Sequence, residues 1–183
     1  MTLIRARDFK WLSKPERYIL QEHKVILETE PFTNLGKKKE GSRAAELVLD
    51  SRDSFRFTVK VEFDYQKPFD QCGILLYQKD KKIAVCGAKL HNDAVDELEC
   101  VVFHKGRGDR SCRSIGTAIR SLYYRVWYRS GHVRIQYSFN GNVYSDVREF
   151  WLPDSVKKLK AGIYACSPGD SSFNCTFSHM DIS

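Results

Sequence analysis

The stretch SFRFTVKVEFDY, Ser54 to Tyr65, decides the fold. Phe55, Phe57, Val59, Val61, Phe63 and Tyr65 fall on every second residue, with Arg56, Thr58, Lys60, Glu62 and Asp64 between them. Side chains of a strand alternate between two faces, so this period marks a strand with one face in a core and one in water. On either side of it the chain keeps the same habit. QCGILLY (71–77) and IAVCGAKL (83–90) are apolar almost throughout, as strands covered on both faces are. ELECVVFH (97–104), SLYYRVWYR (121–129), HVRIQYSF (132–139), VYSDVREF (143–150), KAGIYACS (160–167) and NCTFSHMDI (174–182) follow as further strands. Ser130–Gly131 and Asn140–Gly141 read as tight hairpin turns, because both positions of a type I′ turn need positive φ. Helical periodicity is weak. Only LPDSVKKLK, Leu152 to Lys160, reads as a turn of helix, with Asp154 as its cap. Roughly a dozen strands at intervals of about 8–12 residues predict an all-β antiparallel sandwich or barrel. No linker, repeat or low-complexity tract divides the 183 residues, which predicts a single domain over 1–183.

Composition narrows the class. Apolar residues make up 42% and aromatics 13%, enough for a sizeable core. The net charge of +7 permits an anionic partner, but basic residues are dispersed among acids, and neither nucleic acid nor membrane is predicted as a partner. The tightest basic run, GKKKEG (36–41), reads as a solvated loop. Arg5, Arg7, Asp8 and Lys10 interrupt the N-terminal stretch before it reaches the apolar length of a signal peptide, and no run approaches the ~20 apolar residues of a membrane helix. The expectation is a cytoplasmic protein with its six cysteines free. None of them forms a C-x-x-C pair, and P-loop, dinucleotide and zinc signatures are missing, so no cofactor or metal is predicted. The thiols read as small apolar core fillers.

Four segments in order carry a family resemblance: FDQCGILLYQKDKKIAVCGAKL, LECVVFHKGRGD, YSFNGNVYSDVREF and AGIYACSPGDSSFNCTFSHMDI. Their run of DQ-x-G, S-x-NG and Y-x-CSP resembles the domain-of-unknown-function 1349 family, from about Trp11 to the end of the chain. The resemblance implies the concanavalin A-like lectin/glucanase sandwich, two antiparallel sheets of which one is concave. It also implies kinship with a yeast regulator of enolase, hence a metabolic-enzyme partner as an alternative. The chain departs from the family pattern at TNLG (33–36), at IAVCGAK (83–89), where Gly87 alone matches fully, and at GDR (108–110), where only Asp109 is kept. On the strand holding Ile83, Val85, Gly87, Lys89 and His91, relatives would carry Trp, Lys and Glu, residues suited to sugars; here the row is apolar until Lys89.

The resemblance and the residue types together single out Lys89, Glu99, Asp109, Arg110 and Arg148 as ligand-binding candidates at one end of the concave sheet. Three of the five are basic, which predicts an acidic or phosphorylated ligand. Arg110 stands where the family has Trp, in KGRGDRSCR (105–113), read as a loop; Arg148 matches a family arginine. Glu97 and Glu99 would share a strand face with Cα atoms ~6.5–7 Å apart, which resembles the carboxylate spacing of glycosidases. The Glu-x-Asp-x-(x)-Glu signature of glucanases on this fold is missing, and the acids Asp93, Asp96, Glu97 and Glu99 read as a solvated run. The expected function is a non-catalytic, lectin-like module binding a carbohydrate, sugar phosphate or other anionic ligand, with a protein-interaction module and a glycan-active hydrolase as rivals.

Overall fold

The computed structural model describes residues 2–36, 43–92 and 95–183. The lysine run after Gly36, and Asp93 of the acidic run, lie outside the described residues. The chain forms β1 (Thr2–Leu3), β2 (Lys10–Ser13), β3 (Tyr18–Gln21), β4 (Lys24–Glu28), β5 (Ala45–Val48), β6 (Ser54–Phe63), β7 (Gln71–Gln78) and β8 (Lys81–Asn92). It continues as β9 (Val95–His104), β10 (Arg107–Ile115), β11 (Ser121–Arg129), β12 (His132–Ser138), β13 (Ser145–Trp151), β14 (Lys160–Cys166) and β15 (Asn174–Ile182). Two antiparallel sheets result. One has the order β13-β12-β11-β6-β15-β4-β3, with β1 pairing β15; the other has the order β10-β9-β8-β7-β14-β5-β2.

The alternation read in Ser54–Tyr65 explains the packing. Phe55, Phe57, Val59, Val61 and Phe63 are buried between the sheets, facing Cys72, Ile74, Leu76, Ala84, Cys86, Ala88, Leu98 and Cys100 of the other sheet. The aromatic strand β11 splits in the same way: Tyr124 and Tyr128 are fully buried, while Trp127 is 41% exposed on the outer face. Buried hydroxyls find partners. Tyr124 Oη accepts the Ala88 N–H at 2.8 Å, and Tyr65 Oη donates to the Ala88 carbonyl at 2.6 Å. Both polar groups of one backbone residue are thus held by tyrosines. The six cysteines are free thiols; Cys72, Cys86, Cys100, Cys166 and Cys175 are buried and Cys112 is exposed.

Several local readings are corrected. Residues 105–113 are not a loop. Lys105 and Gly106, both at positive φ (49° and 79°), turn the chain sharply, and Arg107–Ile115 pairs with β9 across nine residues. The segment is polar because β10 is an edge strand, mostly exposed along its length. Ser130 and Gly131 (49° and 85°) make the predicted turn. At Asn140–Gly141 only Gly141 has positive φ, and the link is longer: Ser138 Oγ accepts the Gly141 N–H at 2.9 Å, and Asn140 Oδ1 accepts the N–H groups of Asn142 and Val143. Leu152–Lys160 forms no helix. Pro153 and Val156 close one turn, and Leu159 then pairs with Arg52, since Val156 and Leu159 are drawn into the core. Finally, a bulge between Leu76 and Tyr77 places Lys82, not Ile83, opposite Tyr77. Ile83 packs on the main core and leaves the row that runs through Val85, Gly87 and Lys89.

Candidate functional site

The seven-stranded sheet has a second apolar cluster on its outward face. Val48, Leu75, Val85 and Tyr164 are buried there, with Leu12, Leu35, Tyr77, Val101 and Phe103 packed against them. Register explains the set. Gly162, Leu75, Val85, Val101 and Arg110 lie opposite one another across β14, β7, β8, β9 and β10. The next row outward is Glu46, Tyr164, Gly73, Gly87, Glu99 and Cys112. Two glycines side by side leave a trough, and the Tyr164 side chain lies in it: a Cβ on Gly87 would sit 2.6 Å from its hydroxyl. Burial pushes that hydroxyl's pKa well up, so it is a neutral donor.

Two ionic groups flank this floor. At one end Lys82 bonds to Glu46 Oε1 and to the Leu35 carbonyl (2.7 Å), while Tyr77 Oη donates to Glu46 Oε2 at 2.9 Å. A cleft of about 1140 Å³ opens there, lined among others by Leu12, Leu35, Tyr77, Lys82 and Phe103. At the other end Lys89 Nζ donates to Glu99 Oε2 at 2.7 Å and stands 3.7 Å from Glu97 Oε2. Arg110 grips both acids, through Nε to Glu99 Oε2 and through a terminal nitrogen to Glu97 Oε2 at 2.6 Å. His91 Nδ1 lies 3.7 Å from Glu97 Oε1. The side chains of Lys89, Glu97 and Glu99 are only 12–15% exposed. Two carboxylates and two basic side chains make a compensated, half-buried network.

Burial works to raise the Glu99 pKa, but the bonds from Lys89 and Arg110 outweigh it and hold the carboxyl below its ordinary range. A carboxyl depressed in the folded state stabilises the fold above its unfolded pKa, and that stabilisation fades as pH falls through the folded value. Thermal stability is therefore expected to drop as pH is lowered below about 4.5, the ordinary value for this group. The drop should be shallower in Glu99→Gln. Parallel melting curves for the two proteins between pH 6 and pH 3 would refute this assignment.

Of the five sequence candidates, Lys89, Glu99 and Arg110 converge, and Asp109 and Arg148 do not join them but line the cleft beside Lys82 at the other end. Arg110 lies opposite Val101 and faces outward, so its neighbour Asp109 faces the other way. Asp109 pairs with Arg148, which extends from β13 of the other sheet. That pair, with Arg113 donating to Tyr137 Oη at 3.0 Å, ties the open edge of the sandwich. Reading 105–113 as a loop put Asp109 and Arg110 on one surface; a strand separates them. Glu97, expected in solvent, belongs to the network because it lies opposite Lys89. The Glu46–Lys82–Tyr77 group has no counterpart in the sequence reading: the bulge that brings Lys82 outward leaves no mark in the pattern. Among the described residues, no cluster of His, Cys, Asp and Glu suits a metal, and no helix is long and apolar enough to cross a membrane.

Comparison with known proteins bears on the fold and the family. The chain is similar to "Regulation of enolase protein 1" of Saccharomyces cerevisiae, 27% identical over 176 residues, covering 94% of this chain and 87% of the relative. A functionally unknown protein from Saccharomyces cerevisiae has a crystal structure that matches with a TM-score of 0.84 at 26% identity, over 98% of both chains. A legume lectin-like domain from Entamoeba histolytica matches with a TM-score of 0.65 at 12% identity, over 97% of this chain and 90% of that one, and so shares the concanavalin A-like sandwich. The family described as "Protein of unknown function (DUF1349)" matches residues 11–183. With its two antiparallel sheets and that match over nearly its whole length, the chain belongs to the DUF1349 family.

Proposed function

We propose that the outward face of the seven-stranded sheet binds a neutral carbohydrate without cleaving it. The observation that carries this reading is the compensated Lys89–Glu97–Glu99–Arg110 network beside a sunken apolar floor. A sugar offers an apolar C–H face and a rim of hydroxyls. Such a ligand suits an apolar surface edged by a few fixed polar groups. The ordered carboxylates accept hydroxyl protons, and Lys89 and Arg110 hold them in place. An anionic ligand is disfavoured here, because each cation already has its carboxylate and would have to break that bond. From Lys89 to Lys82 the strand spans roughly 23 Å, which fits an oligosaccharide better than a single sugar. Hydrolysis is disfavoured as well. A glycosidase acid needs a raised pKa, whereas Glu99 is held low by two cations.

The test is a panel of neutral and acidic oligosaccharides followed by calorimetry and product analysis. Neutral oligosaccharides are expected to bind and to remain intact. Arg110→Ala and Glu99→Gln should weaken them roughly tenfold or more, about 1.5–3 kcal/mol for a charge-assisted bond. Arg134→Ala, on the outer face of the opposite sheet, should bind like wild type. Binding confined to acidic sugars, or lost in Arg134→Ala, would overturn the assignment, and release of free sugar would overturn the non-catalytic reading. A second reading follows the 27% identical relative, whose name assigns it to regulation of enolase: the same face would meet a protein, and enolase is the partner to try.

A further inference from the structure

Lys82, Glu46 and Tyr77 stand at the far end of the apolar floor, where the cleft of about 1140 Å³ opens. Such a volume exceeds the ~300–1,000 Å³ of an ordinary small-molecule pocket. Lys82 has an aromatic side chain on each neighbouring strand. Tyr77 of β7 is its register partner, and Phe103 of β9 follows Val102, the partner of Ala84. Both rings are half-buried, pack on the outward cluster and line the cleft. The Lys82 ammonium lies 5.7 Å from the centre of the Tyr77 ring. The side chains of Lys82 and Glu46 are only 13% and 10% exposed, and each compensates the other's charge. Burial first, and the Glu46 charge second, push the Tyr77 hydroxyl up, so it stays a proton donor. Fixed donors and a carboxylate acceptor between two aromatic rings suit a pyranose: its C–H faces stack on the rings and its hydroxyls bond to the polar group.

The same cleft stops the floor. Segment 34–36 lies over the start of β8, its Leu35 side chain on the outward cluster and its Leu35 carbonyl held by Lys82. Past Lys82 the β7–β8 link turns back through Lys79 (φ 53°), and the β9–β10 link through Lys105 and Gly106. Pro153 and Ser155, from the link after β13 of the other sheet, line the cleft as well. The Lys89 end differs: there Arg110 and His91 are nearly half exposed, and neither lines the cleft. A chain lying along β8 therefore meets a wall beyond Lys82 and runs into solvent beyond Lys89.

We propose that the cleft is a terminal subsite. It takes the end residue of a linear oligosaccharide of equatorially linked pyranoses, with Tyr77 and Phe103 against the ring and Lys82 and Glu46 on its hydroxyls. This deepens the carbohydrate reading and rests on it. An equatorially linked chain, such as a cello-oligosaccharide, is an extended ribbon and matches an extended strand, whereas a malto-oligosaccharide curls away. The experiment is calorimetric titration with the series from cellobiose to cellohexaose, with maltohexaose as reference. Affinity should rise roughly tenfold or more along the series, because only the longer chains reach both polar groups. Phe103→Ala and Lys82→Met should each weaken cellohexaose roughly tenfold or more. Phe103 is half-buried at the cleft wall, so its variant serves where Lys82→Met folds poorly. Two further probes carry a bulky cap, one at the reducing end of cellohexaose and one at the non-reducing end. The cap that must enter the cleft should abolish binding, and the other should leave it unchanged. If no neutral oligosaccharide binds, or if Arg110→Ala and Glu99→Gln leave cellohexaose unaffected, the carbohydrate reading falls and the subsite with it. The subsite alone is overturned if cellohexaose needs Arg110 and Glu99 but keeps full affinity in Phe103→Ala and Lys82→Met. Equal affinity of the two capped chains, of cellobiose and cellohexaose, or of maltohexaose and cellohexaose would overturn it too.

Discussion

Gly73→Ala and Gly87→Ala are each expected to destabilise the protein by about 3 kcal/mol or more, at the upper end of what overpacking a core costs. A Cβ on Gly73 would lie 2.2 Å from the Cys86 carbonyl oxygen and 2.5 Å from the Gly87 Cα. One on Gly87 would lie 2.3 Å from the Cys72 oxygen and 2.6 Å from the Tyr164 hydroxyl. The obstacles are mostly backbone, so no rotamer change relieves them; β7 and β8 would have to separate at the centre of the sheet. Gly116→Ala is the control, since its Cβ would meet nothing within 4 Å, and it should stay within about 0.5 kcal/mol of wild type. Urea unfolding measures all three. A loss below about 1 kcal/mol in Gly73→Ala would mean that the two strands do not approach this closely. The glycines matter to the site as well as to stability, because the room they leave is where Tyr164 lies to form the floor.

The fold was legible in the sequence because its signal is periodic. Phe55 through Phe63 needed only alternation, and the buried and exposed halves of β11 follow from the same rule. Where the pattern shifts by one residue, legibility fails. The bulge at Leu76/Tyr77 exchanges Ile83 for Lys82, and nothing in IAVCGAKL marks it. Edge strands fail for another reason. Arg107–Ile115 carries almost no apolar residues because neither of its faces needs them, so it reads as a loop. Two of the five candidates, Asp109 and its partner Arg148, part from the other three at that segment. Lys89, Glu99 and Arg110 could be gathered from strand order, but the separation of Asp109 from Arg110 is visible only once both are on a strand. Partnership was the least legible feature. Whether an arginine is free or paired depends on register across strands far apart in sequence, which is why Arg148 looked available although Asp109 holds it.

The three motifs that carry the family resemblance are architectural, and this explains why they identify the family without revealing a ligand. Gly73 of DQ-x-G makes the close approach to Gly87. Ser138 of S-x-NG staples the loop after β12 through its bonds to Asn140 and Gly141. Ser167 of Y-x-CSP, fully buried, shares a 2.6 Å bond with Thr29 Oγ1, and its N–H donates to Thr33 Oγ1 at 3.0 Å. Apart from Tyr164 of Y-x-CSP, which lies in the floor, the outward-facing residues over which a ligand would lie are set by other positions. A family can therefore keep its sandwich while the face between Lys82 and Lys89 changes.

Asp70→Ala is expected to cost roughly 3–5 kcal/mol, and Asp70→Asn about 1–2 kcal/mol. Asp70, the first residue of DQ-x-G, is wholly out of solvent and yet fully used. Its Oδ2 accepts the N–H groups of Gln66 (2.9 Å) and Lys67 (3.0 Å), and its Oδ1 accepts the Ser171 hydroxyl at 2.7 Å. The carboxylate thus ties the link between β6 and β7 to the link between β14 and β15, which are 101 residues apart in sequence. Alanine would leave two backbone N–H groups and a buried hydroxyl without partners and would open a void beneath them. Asparagine keeps one oxygen for the two N–H groups and can donate its amide to Ser171 Oγ, so it loses charge assistance and little else. Denaturant unfolding of the two variants beside Ser171→Ala tests this. Asp70→Ala should lose clearly more than Ser171→Ala, because the serine variant removes one donor while the alanine variant strands three. Equal losses in Asp70→Ala and Ser171→Ala would show that the two backbone bonds contribute nothing, and that the carboxylate does not brace the loop.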